Sequence, residues 1–169
     1  MDEYSIDAID LCLLDALQND AGQSNQSLAE RCGVSPATAL RRVRALEASG
    51  LVERRVALLQ PERLAQAVGH GLTVLVEISL DRQGDEHLEA FERLAVADTA
   101  VQQCYRVSPG PDFVLVLAVT DMPAYHALAQ HLFTQHANVR NVRAFFSVKR
   151  AKFDPALPLP RASVGQGSA

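Results

Sequence analysis

The feature that most constrains this chain is a change of hydrophobic period along its length. From Ile6 to Gly50 the apolar residues recur at helical spacing and β-branched runs are absent. From Leu72 onward apolar and polar residues alternate, as they do in strands with one buried face. The chain is therefore expected to be α+β with two small domains, residues 1–60 helical and residues 72–152 built on a sheet. A linker is expected at 61–71, because Gln60-Pro61-Glu62 interrupts regular structure and Gly69-His70-Gly71 gives the backbone freedom. Residues 153–169 make a tail. Its Pro-Ala-Leu-Pro-Leu-Pro run and terminal Gly-Gln-Gly-Ser-Ala have little means of burying a core, so it is expected to wander or to lie across a neighbour.

In the first part, Ile6, Ile9, Leu13 and Leu17 share one face of a helix, widened by Leu14, with Ser5 as its expected cap. Ser24 or Asn25 caps a short second helix through Cys32, in which Leu28 and Ala29 point inward. Gly33 ends that helix where a left-handed residue is wanted. Ser35 then caps a third helix, with Pro36 at its first position and a stop at Gly50 after about Ser49. Helix, helix, tight turn and helix make a helix-turn-helix, whose last helix fits a DNA major groove. On the wheel of that helix, Ala39, Leu40, Val43 and Leu46 share the core arc. Thr38, Arg41, Arg42 and Ala45 lie opposite, with Ala37 and Arg44 toward the edge. Small side chains allow close approach to base edges, and arginines fork onto guanine or hold phosphates. An ordinary solvated face is the plainer reading. Leu51 to Leu59 reads as a strand, in which Arg54 or Arg55 would touch a flanking phosphate as a wing does. The expected DNA-contacting residues are thus Ser24, Asn25, Ser35, Pro36, Ala37, Thr38, Arg41, Arg42, Arg44, Arg54 and Arg55.

Charge supports that surface by its position rather than its total. The whole chain is −4, yet residues 34 to 55 carry five arginines against Glu47 and Glu53, which is +3 and leaves −7 elsewhere. No apolar run approaches the roughly 20 residues of a membrane helix, and Met1-Asp2-Glu3-Tyr4 lacks the basic start of a secretory signal. A cytoplasmic, nucleoid-associated protein is expected. Cys12, Cys32 and Cys104 show neither a close pair nor a metal-ligand spacing, and are expected to be reduced thiols packed as small apolar residues.

Several runs together carry a family resemblance. They are Ile6-Asp7-Ala8-Ile9-Asp10, Leu14 to Asp20, Leu28-Ala29, Gly33-Val34-Ser35-Pro36 and Arg42 to Val52. This pattern resembles the Lrp/AsnC, or feast/famine, transcription regulators through the whole N-terminal domain, and more loosely to about residue 159. The resemblance implies a winged helix-turn-helix dimer on imperfect palindromes of double-stranded DNA, joined to a βαββαβ effector and assembly domain. It also implies a homodimer that associates further, to tetramers or octamers.

The second half reads independently as that domain. Leu72, Val74, Val76, Ile78 and Leu80 alternate along a strand, and Asp85 to Ala97 follows as a helix with Leu88, Phe91, Leu94 and Ala95 on one side. Val101–Val107 and Phe113–Thr120 are two strands joined by Ser108-Pro109-Gly110-Pro111-Asp112. A helix opened by Pro123 carries Tyr125, Leu128, Ala129 and Leu132, before a last strand through Val142, Ala144, Phe146 and Val148. Strand, helix, strand, strand, helix, strand gives a ferredoxin-like (RAM/ACT-like) domain with helices on one sheet face. The other face, with Leu75, Val114, Val116 and Phe145, is too apolar to leave in water, so a second subunit is expected there.

No catalytic constellation stands out, and no cofactor signature. His70, His87, His126, His131 and His136 lack the spacing of a helical metal pair, and no serine sits in a G-x-S-x-G setting. Asp112 reads either as a turn residue or as the carboxylate of a zwitterion site beside loop amides. The resemblance places an effector loop here, on Val107, Ser108, Pro109, Gly110 and Asp112, with Ala144 on the last strand. Pro109 stands at the family's usual glycine, and Ala144 at its usual Thr or Ser. Two prolines also remove two N–H donors from the loop. Val107 and Phe146 nearby suit an apolar amino acid. The expected function is a sequence-specific DNA-binding regulator, not an enzyme, whose assembly or DNA affinity responds to a small molecule such as an amino acid. A tetrapyrrole (sirohaem) decarboxylase on the same architecture is the alternative.

Overall fold

The computed structural model describes residues 5–69 and 71–160. The expectations placed on Met1–Tyr4, on His70 and on residues 161–169 fall outside these. The chain divides into two units, one of the N-terminal helices with the chain from Lys152 on, the other spanning Leu59–Ala151.

In the first unit, α1 (Ala8–Asn19), α2 (Asn25–Cys32) and α3 (Pro36–Ala48) enclose Leu13, Ala16, Leu17, Leu28, Ala29, Ala39, Val43 and Leu46. The cap of α1 is Asp7 rather than the expected Ser5. The Asp7 carboxylate accepts from the Ile9 and Asp10 N–H groups, both at 2.9 Å, while Asp10 accepts from the Asp7 N–H at 3.2 Å. These bonds use three donors a helix start would otherwise leave free, and Ile6, outside the box, is exposed. Gly33 takes φ +66° at the end of α2, as the turn between α2 and α3 requires.

Three further expectations are corrected here. Cys12 and Cys32 are not reduced thiols but a disulfide, with Cα atoms 5.8 Å apart, which ties α1 to α2. The 20 residues between them hide the pairing in the sequence, and it is the packing of α2 across α1 that closes it. Cys104 is free and half-buried. Burial, and then the nearby Glu92, push its thiol pKa up, with Arg106 opposing. Nor is there a strand at Leu51–Leu59: residues 53–60 have no regular structure, and Val56, Leu58 and Leu59 are exposed. The β-like pattern is present, but among the described residues no strand lies beside it to complete a ladder. The expected linker is partly helical, since Pro61 opens α4 (Pro61–Val68) instead of only breaking structure.

In the second unit, β1 (Leu72–Leu80), β2 (Val101–Arg106), β3 (Phe113–Val119) and β4 (Val139–Phe146) form one antiparallel sheet in the order β2-β3-β1-β4. With α5 (Asp85–Val96) and α6 (Met122–Ala129) between strands, this is the expected βαββαβ arrangement. Asp121 caps α6 by accepting the Ala124 N–H at 2.8 Å, and a π-helical turn, Gln130–Thr134, prolongs it. Val74, Val76, Ile78 and Leu80 alternate inward with Phe113, Leu115 and Leu117, against Phe91, Ala95, Leu128, Leu132 and Phe133. The opposite face has Leu75 paired to Val116 on one side and Phe145 on the other, and both Leu75 and Phe145 are exposed. Among the described residues no helix is long and apolar enough to cross a membrane.

Candidate nucleic-acid interface and effector loop

The helix-turn-helix is positioned by its caps. Ser24 Oγ accepts the Ser27 N–H at 3.1 Å, so Ser24 is the cap of α2 and Asn25 its first residue, both exposed. Ser35 Oγ accepts the Thr38 N–H at 3.2 Å and shares a 2.9 Å hydrogen bond with the Thr38 hydroxyl. Ser35, Pro36 and Ala37 are exposed at the start of α3, with Thr38 half-buried beside them. Arg41 and Arg44 project from the same helix, exposed and without an ion-pair partner among the described residues. Arg55 is already paired with Glu47 at 2.7 Å, and Arg54 lies 3.8 Å from Glu53.

Arg42 departs from the expected outward face. Its Nη1 donates to Asp7 Oδ2 at 2.7 Å and to Asp10 Oδ1 at 2.9 Å, and Asp10 is buried. On a helical wheel Arg42 lies only roughly 40° from Leu46, at the margin of the apolar arc, where a long side chain folds over its neighbour. It therefore clamps α3 to α1. The Asp10 N–H holds the Asp7 carboxyl below its usual range, burial opposes this, and Arg42 adds to the lowering. Asp10 and then Asp7 keep the guanidinium firmly protonated. Neither Asp7 nor Asp10 is among the residues singled out from the sequence for a site. An acid three residues ahead of another at the start of an apolar-periodic run is the signal that marks them.

The loop between β2 and β3 is closed by its own ends, with Val107 N–H donating to the Asp112 carbonyl at 3.1 Å. The Asp112 N–H donates to the Ile78 carbonyl at 2.8 Å. Its side-chain Oδ2 accepts from the Leu80 N–H at 2.6 Å and from Gln83 Nε2 at 3.3 Å. One carboxylate oxygen thus fastens the loop to the end of β1, while Oδ1 has no hydrogen-bond partner among the described residues. Ser108, Pro109 and Gly110 form the exposed tip, with a cis Ser108–Pro109 bond and φ +129° at Gly110. Ala144 is set apart from them. It pairs with Val76, two residues along β1 from the Ile78–Phe113 pair, and packs into the core under the helices. A separate cleft of about 490 Å³ is lined by Asp98, Thr99, Thr120, Leu128 and His131, none of them an expected site residue.

Comparison with known proteins assigns both halves. Residues 6–53 match a winged helix-turn-helix DNA-binding family, and residues 73–157 match the Lrp/AsnC ligand-binding domain. The glutamate uptake regulatory protein of Zymomonas mobilis is 33% identical over 158 residues, 94% of this chain and 93% of its own. The leucine-responsive regulatory protein of Escherichia coli is 34% identical over 147 residues, 87% of each chain. A transcriptional regulator of Neisseria meningitidis, solved in complex with L-methionine, superposes with a TM-score of 0.79 at 28% identity, covering 91% of this chain and 97% of that one. With both of its domains matched in order and close to its full length shared with such regulators, the chain belongs to the Lrp/AsnC family of transcriptional regulators.

Proposed function

We propose that this regulator reads DNA as a homodimer, with α3 of each protomer in a major groove, and that an amino acid tunes its assembly or its DNA affinity. The observation that carries the reading is the pair of guanidiniums, Arg41 and Arg44, exposed on α3 and without an ion-pair partner among the described residues. Such groups release counterions when they meet phosphates, and fork onto guanine where the helix lies deep enough. Ser24, Asn25, Ala37 and Thr38 flank them, and Arg54 and Arg55 supply backbone contacts. The regulator names of the relatives and this unpaired basic face favour DNA reading over tetrapyrrole chemistry, and the nucleoid is then its place of work.

A second copy is the proposed cover for Leu75, Val114, Val116 and Phe145, and dimers so formed would associate to tetramers or octamers. For the effector, Asp112 Oδ1 at the foot of the exposed loop 107–110 suits an ammonium group, and Val107 favours an apolar side chain, whereas Phe146, paired with Val74 four residues along β1 from Ile78, stands away from the loop. The L-methionine held by the Neisseria relative supports that choice.

The test is retention of random genomic fragments at physiological salt, followed by sequencing. The wild type is expected to enrich a shared palindrome. Arg41→Ala/Arg44→Ala is expected to lose it with an unchanged melting temperature, and to lower the salt dependence by about one ion for each phosphate left without its arginine. Retention of the same sequences by that variant would overturn the assignment. For the effector arm, titration with methionine or leucine is expected to change oligomeric mass or DNA affinity in the wild type but not in Asp112→Asn.

A further inference from the structure

The outer face of α1 holds an occupant that the regulator reading does not use. Gln18 Nε2 donates to the Leu157 carbonyl at 2.9 Å, and Gln18 Oε1 accepts the Leu157 N–H at 2.9 Å. One side-chain amide thus satisfies both polar groups of one backbone residue, as a neighbouring strand would. The segment suits such capture. Pro155, Pro158 and Pro160 have no N–H to leave unpaired, and proline-rich chain favours an extended helix of three residues per turn. A period of three sets Ala156 and Leu159 on one side. These are the two half-buried residues of the run 152–160, whereas Leu157 is 70% exposed and contributes its backbone. Facing them are Leu11, Cys12, Asp15, Gln18 and Asn19 of α1. Asp154 fixes the entry by accepting the Ala156 N–H at 3.1 Å.

We propose that this face of α1 is a docking site for the chain's own proline-spaced segment 152–160, and that the docked segment is a second tether between β4 and the DNA-reading helices. The first tether is the chain at 59–71. Helix α1 is suited to receive such a tether because the other two helices are fastened to it. Cys12 is bridged to Cys32 and Asp15 is paired with Arg31 of α2 at 2.7 Å, while Asp7 and Asp10 hold Arg42 of α3. Whatever restrains α1 restrains the reading helix. Only residues 147–151 separate the end of β4 from the segment, so docking narrows the range over which the reading helix can travel. The tethering role rests on the DNA-binding reading above, whereas the docking itself does not.

The experiment uses the full chain, with hydrogen exchange of the Leu157 amide followed by NMR, and with binding to a palindrome and to a single half-site at fixed salt. Leu157 is expected to be protected in the wild type, at a level unchanged on dilution, and to exchange freely in Gln18→Ala and in Leu159→Asp. Both variants are expected to keep half-site affinity and to lose about three- to tenfold on the palindrome, since two heads held less closely have a lower effective concentration. Free exchange of Leu157 in the wild type overturns the docking. Protection that fades on dilution overturns the own-chain occupant in favour of a partner's tail. Protection without any change on the palindrome overturns the tether. Failure of the wild type to bind any DNA overturns the regulator reading and the tether with it, while leaving the docking result standing.

Discussion

The sheet unit and the helical unit are held together by different means. Between its strands and helices the sheet unit buries Phe91 and Phe113, whose rings lie 5.0 Å apart, together with Leu115, Leu117, Leu132 and four alternating residues of β1. The helical unit encloses a smaller set, three of them alanines. A small domain buries a smaller fraction of its surface and is only marginally stable on that account. The helical unit adds a disulfide, a two-acid clamp on Arg42, an Asp15–Arg31 pair and a capping box, every one of which includes a residue of α1 or its cap. The sheet unit has the larger apolar core, and in the helical unit the cross-links converge on a single helix.

That contrast breaks most visibly where burial is removed. Phe113→Ala takes a fully buried ring out of the sheet core and is expected to cost about 3–5 kcal/mol. Calorimetry should show the loss in the sheet unit's transition, with the helical unit unmoved. Next in size is the disulfide. Opening a loop with a sequence separation of 20, by Cys12→Ser/Cys32→Ser or by reductant, is expected to cost the helical unit about 3 kcal/mol. An unchanged melting temperature in a thiol-free sample would show that apolar packing suffices there. Smaller again is the clamp, for which two neighbouring arginines make the comparison. Arg42→Met deprives buried Asp10 of this cation and is expected to lower the helical unit's melting temperature, whereas Arg41→Ala, on the exposed face, is expected to leave it in place and weaken DNA binding. Equal melting temperatures for the two variants would remove the distinction between the clamping and the exposed arginine.

These cross-links are also where the sequence was least legible. Period alone gave the succession of strands and helices along the second unit and the inward residues of β1 and β3, because alternation in a half-buried sheet maps directly onto its faces. Gly33, Ser35 and Pro36 announced the turn into α3, because each residue type fits its position for a local reason. Arg42 and Cys32 have no such local reason. Their partners lie on α1, 32 and 20 residues away, and only tertiary packing brings them together. The stretch 51–59 has strand-like residues, but a strand also needs a neighbour, which the sequence pattern does not supply. Asp112 was legible as a loop acid but not as a fastener, since its bond to the Leu80 N–H depends on where β1 ends.

The smallest expected effect is on pH, and it tests whether the clamp is electrostatic. The Asp7 carboxyl lies below its ordinary value of 3.8, chiefly because the Asp10 N–H donates to it, with Arg42 adding to the lowering against the cost of burial. A group whose folded pKa is depressed binds its proton more readily in the unfolded chain, so it stabilises the fold above the unfolded value. That contribution fades as pH falls through the depressed folded value. Stability of the helical unit is therefore expected to be level above about pH 5 and to decline on acidification below it. Asp7 is half-exposed, which holds its share to under about 1 kcal/mol. Asp7→Asn keeps a side-chain oxygen for the cap but not the charge. Its acid decline is expected to be shallower than that of the wild type, with the two curves converging at low pH. Parallel curves of stability against pH would mean that the carboxylate acts at α1 as a hydrogen-bond acceptor alone, and that Arg42 is held by Asp10.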